Sequence, residues 1–358
     1  MHSDKTYIKI NGVDYSTSAI LNLSIQNADD LWAETVSFLV EWLNPEATIR
    51  QQSSGSTAAP KQMQLPKAAM IESAKMTGFF FGFHDRMNVL LCLSPKYIAG
   101  KMMIIRALVW KMNLILAKTT SNPIAHIDQP IDFCAMVPLQ LSKILDETPL
   151  KLKLLNTVII GGSALSPQLE QQLQEVQTSF YHTYGMTETM SHIALRKING
   201  EHKSAWFSTL KNIEVSADAR GCLIIDAKSL GINKLLTNDL VSIASDQKFK
   251  LLGRIDDVII SAGKKIHPLL VEQKLGRHFK NQMLIVGIPH EKAGETTLLV
   301  IEGNTTIAAL YELWKALSAL LTAEEMPRRI HFIDQIPMLE SGKPNRKLLR
   351  KMLIEERL

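Results

Sequence analysis

Apolar and polar positions alternate in two textures along the chain. Through roughly the first 250 residues, short apolar runs alternate with stretches of helical spacing, the pattern of helices covering a sheet. Asn88-Val89-Leu90-Leu91-Cys92-Leu93 reads as a buried strand stopping at Ser94-Pro95. Thr157-Val158-Ile159-Ile160 reads as another, closed by Gly161-Gly162-Ser163. Ser166 then offers an N-cap, Pro167 the first helical position and Glu170 a first-turn acid, so a helix over 169–176 is expected. Such strand–turn–helix joins are where α/β proteins place ligands.

Around Gly253-Arg254-Ile255-Asp256-Asp257 the texture changes. Strands are expected at 283–288 and 297–301, separated by Pro289-His290-Glu291 and Gly294-Glu295. A helix over 307–321 carries Leu310, Leu313, Trp314, Leu317 and Leu321 on one face. A strand at 329–333 and a basic helix over 346–356 complete an α+β unit of roughly 100 residues, near the usual domain size. The expected class is therefore α/β: a large domain of sheets covered by helices at 1–253, and a small α+β domain at 254–358.

Composition narrows the classes. The 358 residues exceed one domain of ~100–200, and 46% hydrophobic with 21% charged excludes wholesale disorder, collagen and coiled coil. No apolar run approaches the ~20 residues of a membrane span, and the polar start lacks a signal-peptide block. The cytoplasm is the default expectation. Cys92, Cys134 and Cys222 stand alone among apolar neighbours and form neither a disulfide framework nor a paired metal motif. A net charge of +5 suits a small anionic substrate and is too thin for nucleic acid.

Four stretches have residue types suited to chemistry. Gln52-Ser53-Ser54-Gly55-Ser56-Thr57-Ala58-Ala59-Pro60-Lys61 offers backbone N–H groups, hydroxyls and a lysine to phosphate oxygens, and reads equally as a solvated linker. It lacks the Gly-Lys-Ser/Thr ending of a Walker loop. His182-Thr183-Tyr184-Gly185-Met186-Thr187-Glu188 offers an aromatic ring, a hydroxyl and a carboxylate for Mg²⁺, or else is a tight turn with an incidental acid. Thr237-Asn238-Asp239, with Arg254 beyond it, offers a carboxylate for a vicinal diol beside planar donors. Ser341-Gly342-Lys343-Pro344 presents one lysine ahead of a helix; taken singly it is a helix-entry turn.

In this order, the four resemble the adenylate-forming superfamily of acyl- and aryl-CoA ligases. That family's phosphate loop, Ser-Gly-Thr-Thr-Gly-x-Pro-Lys, is matched by 54–61. Its Tyr-Gly-x-Thr-Glu is matched by 184–188, its Thr-Gly-Asp by 237–239, its Gly-Arg-x-Asp-x-x-Ile by 253–259 and its Ser-Gly-Lys by 341–343. Met136-Val137-Pro138-Leu139-Gln140-Leu141 and Ile160-Gly161-Gly162-Ser163-Ala164-Leu165 are similar to the o-succinylbenzoate–CoA ligases of menaquinone biosynthesis.

The resemblance implies an ATP-dependent ligase in which a carboxylate attacks the α-phosphorus, pyrophosphate leaves, and coenzyme A displaces AMP. It assigns the β- and γ-phosphates to Ser53, Ser54, Gly55, Ser56, Thr57 and Lys61, and the α-phosphate to Thr187, with Glu188 on Mg²⁺. It places adenine against Tyr184 and Gly185 beside Gly161, Gly162 and Ser163, and ribose at Asp239 and Arg254. Lys343 becomes the catalytic lysine of a mobile small domain, and Asp256 the hinge. For an aromatic dicarboxylate such as o-succinylbenzoate, Lys96, His192 and Arg196 are candidates by position only. Other acyl- or aryl-CoA ligases, a carrier-protein-loading enzyme and a catalytically silent nucleotide-binding homologue are the competing readings. Neither nucleic acid nor membrane is expected as partner, and a homodimer is left open.

Three positions depart from the pattern: Ala58 replaces the loop's second glycine, Asn238 the glycine before Asp239, and Ala262 the first of a common glycine pair. The segment ahead of the phosphate loop is also shorter than is usual in the family.

Overall fold

The computed structural model describes residues 7–23, 30–52, 62–244, 247–279, 281–304, 307–339 and 344–355. Among these, thirteen strands form one sheet. Its centre is parallel, running Ile8–Ile10, Asn113–Leu116, Asn88–Leu91, Ile131–Met136, Leu155–Ile160 and Ser179–Gly185 side by side. Antiparallel strands extend it from His192–Lys197 through Phe207–Thr209 and Lys248–Arg254 to Ile232–Ile243, Cys222–Ala227 and Glu214–Ala217. Parallel strands buried on both faces read as continuous apolar runs, because alternate side chains serve two cores. Val89, Leu91, Phe133 and Ile159 enter one core, whereas Leu90, Cys92, Cys134, Val158 and Ile160 enter the other.

Past the 3₁₀ turn Ile255–Asp257 the chain changes sheets. Lys248–Arg254 is its last strand in the large sheet, and Ile259–Ser261 its first in a five-stranded one with Lys264–Ile266, Gly294–Glu302, Met283–His290 and Arg329–Ile333. The same parity recurs there. Ile285, Leu299 and Ile301 pack with Leu313 and Leu317 of the helix Ile307–Leu320, while Leu284, Val286, Leu298 and Val300 pack with Leu349 and Leu353 of the helix Arg346–Glu355.

The strand expected over 88–93 ends at Leu91, because the chain already turns toward Ser94. The helix expected over 169–176 starts earlier, at Pro167, with Ser166 Oγ accepting the Leu169 N–H at 3.2 Å. It tightens into a 3₁₀ turn over Leu173–Glu175 before Val176.

The hairpin joining Ile259–Ser261 to Lys264–Ile266 turns through two left-handed residues, Ala262 at φ +48° and Gly263 at φ +78°. Such a turn suits glycine at both positions, and an L-residue there costs about 1 kcal/mol. Ala262→Gly is therefore expected to raise the stability of the small sheet by roughly 0.5–1 kcal/mol, read as a higher melting temperature. A lower melting point would show that the alanine is unstrained.

Candidate active site

Several of the described candidates lie where the parallel strands end. The carboxyl end of Leu155–Ile160 runs into Gly161 and Gly162, the latter at φ +87°. On the next strand, Ser179–Gly185, the sequence ends Tyr184-Gly185 and opens into the short turn Thr187–Thr189. A Cβ on Gly185 would lie 2.2 Å from the Ser191 carbonyl oxygen, so only glycine lets this strand close on the returning one. Thr187 is buried and Glu188 half-buried, and no described residue pairs with the Glu188 carboxylate. No group of three acid, histidine or cysteine side chains suited to a metal occurs among the described residues. A magnesium ion ordinarily takes one or two carboxylates together with phosphate oxygens and water, and Glu188 fits the carboxylate's part.

Across the sheet, antiparallel register sets Asp239 directly opposite Arg254. Arg254 Nη1 donates to Asp239 Oδ1 at 3.2 Å and Nη2 to Asp256 Oδ2 at 3.1 Å, while its buried Nε has no described partner. The Asp239 N–H donates to Thr237 Oγ1 at 3.1 Å, and that hydroxyl donates to the Leu223 carbonyl at 2.9 Å. The Tyr184 hydroxyl donates to Asp239 Oδ2 at 2.6 Å. Its ring, 8% exposed, lies edge-on to Phe249 at 5.1 Å. Burial first, then the neighbouring Asp239, pushes the phenol pKa up, so it remains a donor. Asn238 lies outside the left-handed region, so a side chain in place of glycine brings no backbone strain. Instead its Nδ2 donates to Asp256 Oδ2 at 3.2 Å.

Behind the Gly161-Gly162-Ser163 turn, the His182 Nε2–H donates to the Ser163 carbonyl at 3.2 Å and Nδ1 accepts from Arg196 Nη2 at 3.5 Å. Loss of water around the ring, then Arg196, brings the His182 pKa down to about 4, which leaves it neutral in this pattern. Arg196 makes a two-pronged pair with Glu170, both bonds at 2.9 Å. Lys96 pairs with Glu34 at 2.9 Å on the surface. His192 is buried, with Nε2 3.2 Å from Thr77 Oγ1 and Nδ1 3.3 Å from Ser191 Oγ. Each of these three candidates for the acid is thus engaged by protein neighbours.

Arg106 escaped the sequence reading. It lies on the helix Ile98–Trp110, 1% exposed, with Nη2 donating to Ser191 Oγ at 2.7 Å and Nη1 3.5 Å from the Met103 sulfur. Its Nε has no partner, and no carboxylate pairs with it among the described residues. Burial pulls its pKa down to about 9, which leaves it charged at neutral pH. Burial and Arg106 in turn hold His192 well below its ordinary value. The signal in the sequence was the single charge inside Met102-Met103-Ile104-Ile105-Arg106-Ala107-Leu108, since a lone buried charge is rare without a role.

Ser53, Ser54, Gly55, Ser56, Thr57, Ala58 and Lys61 lie outside the described residues, as does Lys343. Flanking the first group, Thr48–Gln52 and Gln62–Pro66 pair with Gln52 opposite Gln62. Flanking Lys343, Met338 bridges Pro344, and the Asn345 N–H donates to the Pro337 carbonyl at 2.7 Å. Arg346 is held by the Glu272 carboxylate and the Ile285 carbonyl, 3.9 Å from Asp257 in the turn between the sheets.

The profile of the family described as AMP-binding enzyme matches residues 24–211, over half of the chain. The chain is 25% identical over 344 residues to the 2-succinylbenzoate–CoA ligase of Lactococcus lactis, spanning 90% of this chain and 75% of that one. It is 30% identical to the solved acyl-CoA synthetase (AMP-forming)/AMP-acid ligase II-like protein of Dyadobacter fermentans, with a TM-score of 0.62 over 94% of this chain and 98% of that one. The o-succinylbenzoate CoA synthetase of Bacillus subtilis, solved with the acyl-adenylate intermediate, shares the fold at a TM-score of 0.72 and 20% identity, over 84% of this chain and 68% of that one. No helix among the described residues is long and apolar enough to cross a membrane.

Proposed function

Because the chain belongs to the AMP-binding enzyme family, among the adenylate-forming acid–CoA ligases, we propose that it joins an aromatic dicarboxylic acid to coenzyme A through an acyl-adenylate. The acid we favour is o-succinylbenzoate, which would place the enzyme in menaquinone biosynthesis. The observation that carries the acid is Arg106, a buried cation with no described carboxylate, touching Ser191 just beyond the Tyr184–Glu188 turn. A buried charge is costly when unpaired. A second carboxylate on the substrate supplies the missing anion, and a monocarboxylate does not. The likeness to a 2-succinylbenzoate–CoA ligase supports the same choice.

In this reading residues 1–253 hold nucleotide and acid, and residues 254–358 form the swinging small domain. Ser53, Ser54, Gly55, Ser56, Thr57 and Lys61 hold the β- and γ-phosphates of ATP. Gly161, Gly162 and Ser163 flank adenine beside Tyr184, and Asp239 with Arg254 receives the ribose, where the unpartnered Arg254 Nε offers one more donor. Thr187 donates to the α-phosphate. Glu188 holds Mg²⁺, which when bound neutralises phosphate charge. The protein supplies no nucleophile: it places the substrate carboxylate in line with the α-phosphorus and stabilises the charge that gathers there. Pyrophosphate leaves, and the thiol of coenzyme A then attacks the acyl carbon and expels AMP.

A pyrophosphate-exchange assay over a panel of acids tests this. Exchange is expected with o-succinylbenzoate and far less with benzoate, and AMP release is expected on adding free coenzyme A. Equal exchange with both acids would overturn the dicarboxylate. Exchange without coenzyme A-dependent turnover would point instead to a carrier-protein loader.

A further inference from the structure

We infer that the Tyr184 hydroxyl is a positioning group for sugar recognition: it fixes the rotamer of Asp239, so the enzyme's preference for a full ribose diol depends on it. The inference rests on the reading that Asp239 meets the ribose. Asp239 is gripped at both oxygens, with Tyr184 Oη on Oδ2 at 2.6 Å and Arg254 Nη1 on Oδ1 at 3.2 Å. A carboxylate has about four lone-pair sites, so two remain to accept from a vicinal diol. Those two are aimed only as well as the carboxylate plane is held. Of the two grips, the arginine's is the longer and is divided, since the same guanidinium also serves Asp256 at 3.1 Å. The tyrosine's bond is short and charge-assisted, and it comes from a ring wedged edge-on to Phe249 at 5.1 Å with Phe207 at 6.1 Å. The tyrosine is the rigid partner. It reaches the acid from another strand, 55 residues away in sequence. The ring itself is 8% exposed, so stacking surface alone does not account for a tyrosine where phenylalanine would pack as well.

The test is Tyr184→Phe, which keeps the ring and removes the hydroxyl. The readout is the ratio of kcat/KM for ATP to that for 2′-deoxy-ATP and 3′-deoxy-ATP. The parent enzyme is expected to prefer ATP by about 10- to 100-fold, the scale of a hydrogen bond to a charged group. The variant is expected to lose most of that preference, with a KM for ATP several-fold higher. Asp239→Asn is expected to lose it too, and adding Tyr184→Phe to Asp239→Asn to change the ratio no further. A Tyr184→Phe enzyme that keeps the parent's ratio would overturn the inference while leaving ribose at Asp239 intact, as would additive effects in the double variant. A parent enzyme indifferent to both deoxynucleotides would instead remove the ribose from Asp239, and the inference with it. Both variants retain the Arg254 contact, and their melting temperatures separate a loss of aim from a loss of fold.

Discussion

Lys343→Ala is expected to slow adenylation by about 10²–10³-fold, the scale of losing one preorganised transition-state donor, while leaving thioester formation from a synthetic acyl-adenylate near the parent rate. Two negative groups, the acid's carboxylate and the α-phosphate, must approach within bonding distance, and a cation between them is worth most at that moment. Once the adenylate exists, that crowding is past and the lysine has no further charge to offset. On either side of it in the chain, Met338 bridges Pro344, and Arg346 is clamped between Glu272 and the Ile285 carbonyl. Single-turnover measurements on the two halves decide the matter. Equal loss in both would make Lys343 structural.

Arg106→Met is expected to raise KM for an aromatic dicarboxylate by about 10- to 100-fold, the worth of a charge-assisted bond, with little change for benzoate. Its effect on stability should have the opposite sign to most core substitutions. A buried cation without a described carboxylate costs desolvation that its contacts to Ser191 and Met103 offset only in part, so a methionine of similar reach should leave the melting temperature unchanged or raise it. The rise in melting temperature that the dicarboxylate gives the parent should vanish in the variant. If Arg106→Met melted well below the parent and kept its KM, the arginine would be a scaffold for Ser191 rather than a receptor for the acid.

The architecture was legible wherever one periodicity controlled burial. Runs such as Val89-Leu90-Leu91 and Val158-Ile159-Ile160 are apolar at every position because both faces of their strands are covered, and the small unit's strands and helices fall close to where spacing put them. The antiparallel flank was harder to read. Ile232–Ile243 mixes exposed, half-buried and buried positions without a single period, and only its pairing with Lys248–Arg254 reveals why Asp239 and Arg254, fifteen residues apart, stand face to face. At the site, residue types named the chemistry but not the partners. Tyr184 reads as a stacking ring until its hydroxyl is found on Asp239, and Arg106 hides inside a helix whose other residues simply fill the core. Asn238 stands where the resembling family has glycine, yet the backbone there does not ask for one, and its amide reaches Asp256.

That Asp256 is also held by Arg254 has a thermodynamic corollary in the proposed scheme. One guanidinium answers to two masters, the acid that greets the sugar and the acid at the swivel. If nucleotide in the cleft changes how firmly it clasps the first, and thereby its hold on the second, turning the small domain must act back on nucleotide binding with the same coupling free energy. Filling the nucleotide cleft and turning the small domain would then be entries in a single equilibrium, joined through one side chain.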